Sequence, residues 1–399
     1  MQKIWTFREN EAVETDSIDV KAFKPQGKFY EDAELLCKVF NIKVHPALKA
    51  PPVHVNEDGT HEQKEVTTIA FNKHRIDRNS MRILFFTLPA SPNVQTLKFT
   101  NNGLTHAQMT LLVEYMTQDS CPVLNLFIDW NPIYGDDYIQ SMGDQNPLYK
   151  KRSSDEQSLF AKLVHQNSKL QVLFLRANNL QDDDVKQICQ VLKPDPLNPL
   201  SQKPLKVLDL SYNPITHTAV QSIADMLDVN RTLEYIGLAK CKLQTASACK
   251  LFEQIGRLPF PQEQVEPHQA KMKARDAVIE KNKKLKASKK PEEPVPQMDL
   301  IEQGTYVNSD GVEVQGWVLL KNMQFKHINL CANELNLDVK ESVSGLLRRT
   351  NDDFGLTLAG NNIPKSVGDS LVKVAQEVHT ARVGAEGADP QMGLRRIAF

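Results

Sequence analysis

The chain has 399 residues, 41% of them apolar, which is enough for one large repeat array or two ordinary domains. Its 48 basic side chains nearly cancel 49 acidic ones; the formal net charge of -1 excludes any global preference for nucleic acid or an anionic membrane. The N-terminal stretch MQKIWTFREN carries charges where a secretory leader needs an apolar core, and no apolar run approaches the ~20 residues of a membrane helix, so a cytoplasmic chain is expected.

Residues 1–63 contain no repeat. A helix is predicted over Tyr30–Phe40, where acids in the first turn suit a helix N-terminus. Ala50-Pro51-Pro52 stops any helix, and Asn56-Glu57-Asp58-Gly59 is a turn signal. An array of stacked repeats must shield its first core face, so residues 1–63 are expected to form an irregular N-terminal cap.

From residue 64 the pattern L-x-x-L-x-L-x-x-N-x-L recurs. Val66, Ile69, Phe71, His74 and Ile76 fit it weakly, with histidine in the asparagine slot. The next instances start at Val94, Val123, Leu170, Leu205, Leu233, Phe325 and Asp353, and Cys241 takes the asparagine slot of the sixth. Four of the seven intervals are 28 or 29 residues. The fourth and sixth positions alternate as a strand requires and point to one face. The asparagine can hydrogen-bond the backbone where the chain leaves the strand. After Ile215, the residues Val220, Ile223, Ala224 and Leu227 share one face of a helix. No unit of strand and helix buries both faces alone, so neighbours must stack; a recurring unit of this kind is a leucine-rich repeat.

Three intervals are too long. The 47-residue interval after Val123 holds a loop over Asn131–Asp155, and the 35-residue interval after Leu170 holds Pro194–Pro199. The 92-residue interval after Leu233 exceeds the 28-residue period by 64 residues. Within it Gln269–Lys290 is a basic helix former, Pro291–Pro296 (PEEPVP) is extended, and Tyr306–Val318 reads as a hairpin closed at Asp310-Gly311. Residues Arg382–Phe399 lack apolar periodicity and are expected to be a mobile tail. The resulting division is a cap at 1–63, repeats 1–6 at 64–258, an insertion at 259–322, repeats 7–8 at 323–380 and a tail at 381–399.

The 28-residue period with a helix in every unit resembles the ribonuclease-inhibitor-like class of leucine-rich-repeat proteins over about residues 66–378, the insertion excepted. That resemblance implies an α/β solenoid, a horseshoe with parallel strands on the concave face and helices outside, here interrupted by a charged helical and hairpin insertion. It also implies a non-catalytic scaffold for protein partners. The order of repeat pair, basic helix, KKPEEPVP, aromatic-containing hairpin and FKHINLCANEL is similar to leucine-rich-repeat proteins of the ciliary axoneme. This implies a cytoskeletal assembly in the cilium or flagellum, with tubulin among the candidate partners. The Ran GTPase-activating proteins resemble the same repeat class, which makes a regulator of a small GTPase the first alternative. Their acidic tail is not matched by the Gly-Leu-Arg-Arg-Ile-Ala-Phe with which this sequence finishes.

Strand positions unused by the core face the concave side. They place Lys98, Phe127, Phe174, Asp209, Gly237, Asn329 and Thr357 in a central slot, with Trp130, Arg176, Tyr212 and Tyr235 beside it. Phe127, Trp130, Phe174, Arg176, Tyr212 and Tyr235 are therefore the candidate partner-binding residues, since aromatics and arginine dominate protein interfaces. The competing reading is that the Asn131–Asp155 loop or the N-terminal segment covers them. The basic helix offers a second candidate surface in Lys271, Lys273, Arg275, Lys281, Lys283, Lys284 and Lys286. A solvated or protein-bound helix is favoured there over a nucleic-acid binder, because Gln269–Lys290 has no aromatic residue to stack on bases.

No P-loop, dinucleotide fingerprint, H-E-x-x-H or G-x-S-x-G occurs, so no enzyme, cofactor or metal is expected. Asp182-Asp183-Asp184 opens a helix, where consecutive carboxylates suit the N-terminus and cannot converge on one calcium ion. The six cysteines form no C-x-x-C pair and read as reduced, mostly buried thiols.

Overall fold

The computed structural model describes residues 23–51, 54–55, 61–62, 65–133, 157–164, 169–195, 202–288, 291–296, 298–307, 313–384 and 386–399. The loop predicted over Asn131–Asp155, beyond residue 133, lies outside the described residues, as do the turns at 56–59 and 310–311. The chain forms two compact units, Met1–Leu180 and Gln181–Phe399.

The first unit runs α1 (Phe29–Val39), β1 (Thr68–Asn72), α2 (Arg78–Thr87), β2 (Thr96–Thr100), α3 (His106–Met116), β3 (Asn125–Asp129), α4 (Leu159–Leu163) and β4 (Val172–Phe174). The four strands pair in parallel, with Ile69, Leu97, Leu126 and Leu173 in one register row. That row and the Phe71–Phe99–Ile128 row are wholly buried, as the alternation of the pattern requires. The Phe71 and Phe99 rings stack at 5.2 Å. Helices α2 and α3 start on side-chain caps: Asp77 accepts the Ser80 amide at 2.8 Å, and Thr105 and Gln108 cap each other reciprocally. Helix α1 lies against α2 and buries Phe29, Ala33 and Leu36. Its buried Asp32 carboxylate accepts the amides of Gln26, Gly27 and Lys28 at 2.9–3.1 Å, which holds the chain at the helix entry.

The second unit continues the plan with α5 (Asp182–Leu192), β5 (Val207–Asp209), α6 (His217–Leu227), β6 (Tyr235–Gly237) and α7 (Thr245–Phe252). The insertion follows: β7 (Arg257–Pro259), α8 (Val265–Ala287), β8 (Leu300–Val307) and β9 (Glu313–Leu320). Repeats resume at β10 (His327–Asn329), α9 (Lys340–Arg349), β11 (Gly355–Thr357), α10 (Lys365–Val383), α11 (Met392–Arg396) and β12 (Ile397–Ala398). β6 pairs directly with β10, Tyr235 opposite His327, so the parallel ladder passes the insertion without a break. The 64 extra residues leave the repeat stack after α7 and return in register.

Two contacts make that return possible. Residues 291–296 and 298–299 lie back along α8, where the Asn282 amide bonds the Glu293 backbone in both directions (2.7 and 2.8 Å) and the His268 ring meets the Asp299 carbonyl at 2.9 Å. The hairpin of β8 and β9 then takes β7 as a third antiparallel strand, which the sequence reading does not foresee. Asp299 bridges Arg231 and Lys321, and Lys321 also pairs Asp228, so a cluster of four charges fastens the insertion to the loop after α6. Burial works against the Lys321 charge, but hydrogen bonds to Asp228 and Asp299 outweigh it and raise its pKa.

The C-terminal stretch corrects the expectation of a mobile tail. Helix α10 runs on to Val383, and Ile397 and Ala398 pair with Leu356 and Thr357 as a further parallel strand. Arg396 is buried and donates to the carbonyls of Leu347 and Thr350, the open end of α9. A buried arginine is invisible to an apolar periodicity, which is why the sequence reading misses the element.

Every repeat turns in the same way. The residue before the asparagine slot is left-handed throughout: Lys73, Asn101, Trp130, Ala177, Tyr212, Lys240, Ala332 and Gly360 all have φ between 53° and 73°, apart from Asn101 at 52°. Its backbone N–H usually donates to the next repeat, as Trp130 does to the Arg176 carbonyl and Tyr212 to the Ala239 carbonyl, both at 2.8 Å. The asparagine side chain then bridges two turns. Asn333 accepts the amides of Cys241 and Leu243 (2.9 and 3.0 Å) and donates to the carbonyls of Leu238 and Leu330 (2.8 and 2.9 Å). His74 supplies part of this, its Nδ1 meeting the Asn72 carbonyl at 2.8 Å, and the Cys241 thiol contacts the Leu210 and Ala239 carbonyls at 3.5–3.6 Å.

Two stability measurements follow. Asn333→Ala strands several buried backbone groups and is expected to cost about 3 kcal/mol, which thermal denaturation reads as a Tm lower by roughly 6–12 °C. Asp299→Ala leaves two cations facing each other at the foot of the insertion and is expected to cost about 2 kcal/mol. Limited proteolysis should then open α8 before the repeats; a protease pattern identical to that of the parent chain would refute the anchoring role.

Candidate partner-binding site

Strand alternation sets Phe127, Phe174 and Tyr235 outward, and the left-handed turn carries Trp130 and Tyr212. In the first unit β2, β3 and β4 place Lys98, Phe127 and Phe174 side by side, each strand contributing its central outward position. The Phe127 and Phe174 rings stack at 4.6 Å, Lys98 Nζ sits 4.9 Å from the Phe127 centroid, and Arg176 Cζ sits 5.1 Å from that of Phe174. The row therefore reads cation, ring, ring, cation, and each cation lies against an electron-rich face. Asp129 is buried and holds Arg176 in place, its carboxylate taking the guanidinium at 2.6 Å and the Arg176 backbone amide at 3.1 Å. Trp130 follows at the turn with φ 59° and 53% of its surface exposed. A bulky side chain in that region costs about 1–2 kcal/mol, so Trp130 is strained, outward and wet at once.

Phe127, Trp130, Phe174 and Arg176 thus share the first unit. The other two candidates, Tyr212 and Tyr235, belong to the second and have their own neighbours. Tyr212, also left-handed (φ 64°) and 46% exposed, has Lys240 Nζ 5.5 Å from its ring. Tyr235 stacks on His327 at 5.5 Å with the planes 8° apart, and His327 Nε2 reaches Thr357 Oγ1 at 3.1 Å. Burial pushes the His327 imidazole below its usual pKa, which favours the neutral ring in the stack. Two glycines inside strands make room for this row. A Cβ at Gly355 would lie 2.7 Å from His327 Nδ1, and one at Gly237 would lie 2.3 Å from the Asp209 carboxylate. Lys98, Asp129, Lys240 and His327 are absent from the candidate set read from sequence. The strand register is the signal for Lys98 and His327, each opposite an aromatic on the adjacent repeat, and the shared turn position is the signal for Lys240 beside Tyr212; Asp129 pairs with Arg176 and carries no such signal.

The second candidate surface needs one correction. Lys271, Lys273, Lys281, Lys283, Lys284 and Lys286 are exposed on α8, with Lys281 paired to Glu293 and Lys283 to Glu280. Arg275 is not on that surface: its side chain is only 12% exposed and lies in the inward stripe with Val265, His268, Met272, Ile279 and Asn282. The stripe spacing of three and four is the helical period, so the arginine at that phase turns in with it.

The three consecutive aspartates diverge. Asp182 accepts from the Thr216 amide at 2.8 Å, Asp183 from Gln187 at 2.9 Å, and Asp184 caps its own helix at the Gln181 amide at 3.0 Å. Among the described residues, no group of three histidine, cysteine or acidic side chains is arranged to hold a metal ion. All six cysteines are free and four are buried; burial pushes the Cys189 and Cys241 thiols up to about 12. No described helix is long and apolar enough to cross a membrane.

A leucine-rich-repeat family model ("Leucine Rich repeat") matches residues 201–224, which covers β5 and the start of α6. No curated protein matches the chain. Among solved structures, an internalin (inlF) from Listeria monocytogenes is similar over 87% of this chain and 94% of its own, at 13% identity and a TM-score of 0.22. The repeat assignment accordingly rests on the matched segment and on the chain's own geometry: parallel strands in register, a left-handed turn before each slot residue, and a helix in the unit. The chain is built of leucine-rich repeats, with α/β architecture in both units.

Proposed function

We propose that the chain is a non-catalytic protein–protein interaction scaffold, and that the first unit's outward row is the surface it offers to a partner. The observation that carries this reading is the combination at Trp130, Phe127, Phe174 and Arg176. Aromatic and arginine side chains are presented on short, registered strands, and one of them is held exposed in a strained backbone. The left-handed turn is common to the repeats, so what marks Trp130 is an exposed aromatic placed at it, the side-chain type that dominates interfaces. The exposed lysines of α8 provide a second, electrostatic surface, suited to an acidic protein such as a tubulin tail. The setting we propose is the cytoplasm, within a cytoskeletal assembly of the ciliary or flagellar axoneme. It is supported by the order of basic helix, proline-rich segment and hairpin between two repeats.

Affinity purification from ciliated and non-ciliated cells tests the setting, with axonemal proteins expected only from the former. The same partners from both sources would remove the ciliary reading. The surface is tested by variants. Phe127→Ala with Phe174→Ala is expected to cost about 1–2 kcal/mol of stability, the value of a stacked pair and its cations, and to weaken partner capture at least tenfold. Trp130→Asn should leave thermal stability within about 1 kcal/mol, since asparagine tolerates the left-handed turn, yet also weaken capture. Capture unchanged in both variants would place the interface elsewhere.

A further inference from the structure

A cleft of about 470 Å³ in the second unit collects side chains from four separate parts of the chain. β7 contributes Arg257, β8 contributes Tyr306, the end of α9 contributes Arg348 and Arg349 with Asp352 beyond it, and α10 contributes Arg382. Four arginines and one carboxylate therefore line the cleft.

That carboxylate is already engaged. Asp352 takes the His379 ring at 2.7 Å, Arg382 at 2.7 Å and Arg396 at 3.3 Å. The His379 ring is fixed as well, since its Nε2 accepts the Asp389 amide at 3.0 Å while Nδ1 donates to Asp352. The remaining arginines have little to neutralise them. Arg349 donates only to neutral carbonyls, those of Ile255 and Phe252, and makes no ion pair among the described residues. Its burial pushes the guanidinium pKa down, with Glu253 partly offsetting it, so the charge is held at a cost. Arg348 makes no ion pair among the described residues, and Arg257 meets only Glu302, at 3.7 Å with both side chains nearly half exposed. A walled cleft with this excess of positive charge focuses potential on an anion.

The shape narrows the anion. Guanidinium forks bind carboxylate and phosphate bidentately, but a carboxylate saturates a single fork, whereas a phosphate monoester carries nearly two charges and three acceptor oxygens. The cleft also extends well past the arginines. Tyr306 lies over Gly316, where a Cβ would come within 3.0 Å of its ring, and Thr305 and Asn351 line the remainder with groups that can bond a peptide backbone, whereas the Thr350 hydroxyl is taken by Leu346 and Arg396.

We propose that this cleft binds a phosphate monoester carried on a side chain of a partner peptide. The site is independent of the aromatic row, so the failure of either leaves the other standing. The test uses the full chain in calorimetric titrations with a capped glycine-flanked phosphoserine peptide, its serine and glutamate counterparts, and inorganic phosphate. The phosphopeptide is expected to saturate and to bind at least tenfold tighter than the other three. Arg257→Gln with Arg348→Gln should weaken it at least tenfold, about 1.4 kcal/mol, with Tm unchanged. Lys284→Gln with Lys286→Gln, on the distant basic helix, should leave it within about twofold. If the arginine double variant melts early, Arg348→Lys takes its place: it keeps the charge but loses the fork, and should still weaken binding severalfold. Four results would each overturn the proposal. They are equal affinity for the glutamate peptide, equal affinity for free phosphate, no saturation by about 10 mM, or an equal loss in the lysine variant.

Discussion

The side-chain amide of Asn131 belongs to two repeats at once. It accepts the backbone amides of Asn102 and Leu104 and donates to the carbonyls of Phe99 and Asp129. Asn333 does the same between Cys241 and Leu330. Each turn would otherwise bury backbone groups that no strand or helix satisfies, and the loss would be about 1–3 kcal/mol per group. The residue before the slot is left-handed in each repeat, and where the slot holds asparagine its amide ties that turn to the neighbouring one and so fixes the register of the strands. Which side chains line the outward face, and which neighbour each one meets, follow from that one hydrogen-bonded turn.

Much of this was legible in the sequence because the pattern is set by burial. The leucines of the fourth and sixth positions had to lie inward, so the central outward slot could be read off, and Lys98, Phe127 and Phe174 do align across three strands. What the pattern could not carry was anything set by polar geometry. The left-handed turn leaves no mark when its residue is Trp130 or Tyr212 in place of glycine. Arg275 has the composition of a solvated face but the phase of a buried one. Arg396 lacks any apolar signal, yet its guanidinium closes the end of α9 and brings a strand with it. The hairpin was recognisable from its alternation, whereas its third strand, Arg257–Pro259, is too short and proline-rich to be seen.

The insertion shows how a repeat array tolerates 64 extra residues. Loop closure becomes only slightly more costly as a loop lengthens, so the main requirement is that both ends return to the same place. Glu293 and Asp299 hold the return against the helix, and the Arg231–Asp299–Lys321–Asp228 cluster fixes the foot. Continuity of β6 with β10 then keeps the outward row of the second unit intact, with Tyr235 on His327. An inserted module that leaves the ladder undisturbed can add binding surfaces without altering those already present.

The central claim is that the first unit's outward row touches another protein. Its most direct test is site-specific photo-crosslinking from the full chain in cells, with the photoreactive group at position 127 and, as a control, at Lys186 on helix α5. The account predicts crosslinks to a discrete partner from position 127 and none from position 186. Crosslinks from position 127 that lead only to this chain's own segments would mean that the row is covered from within, and would contradict the account.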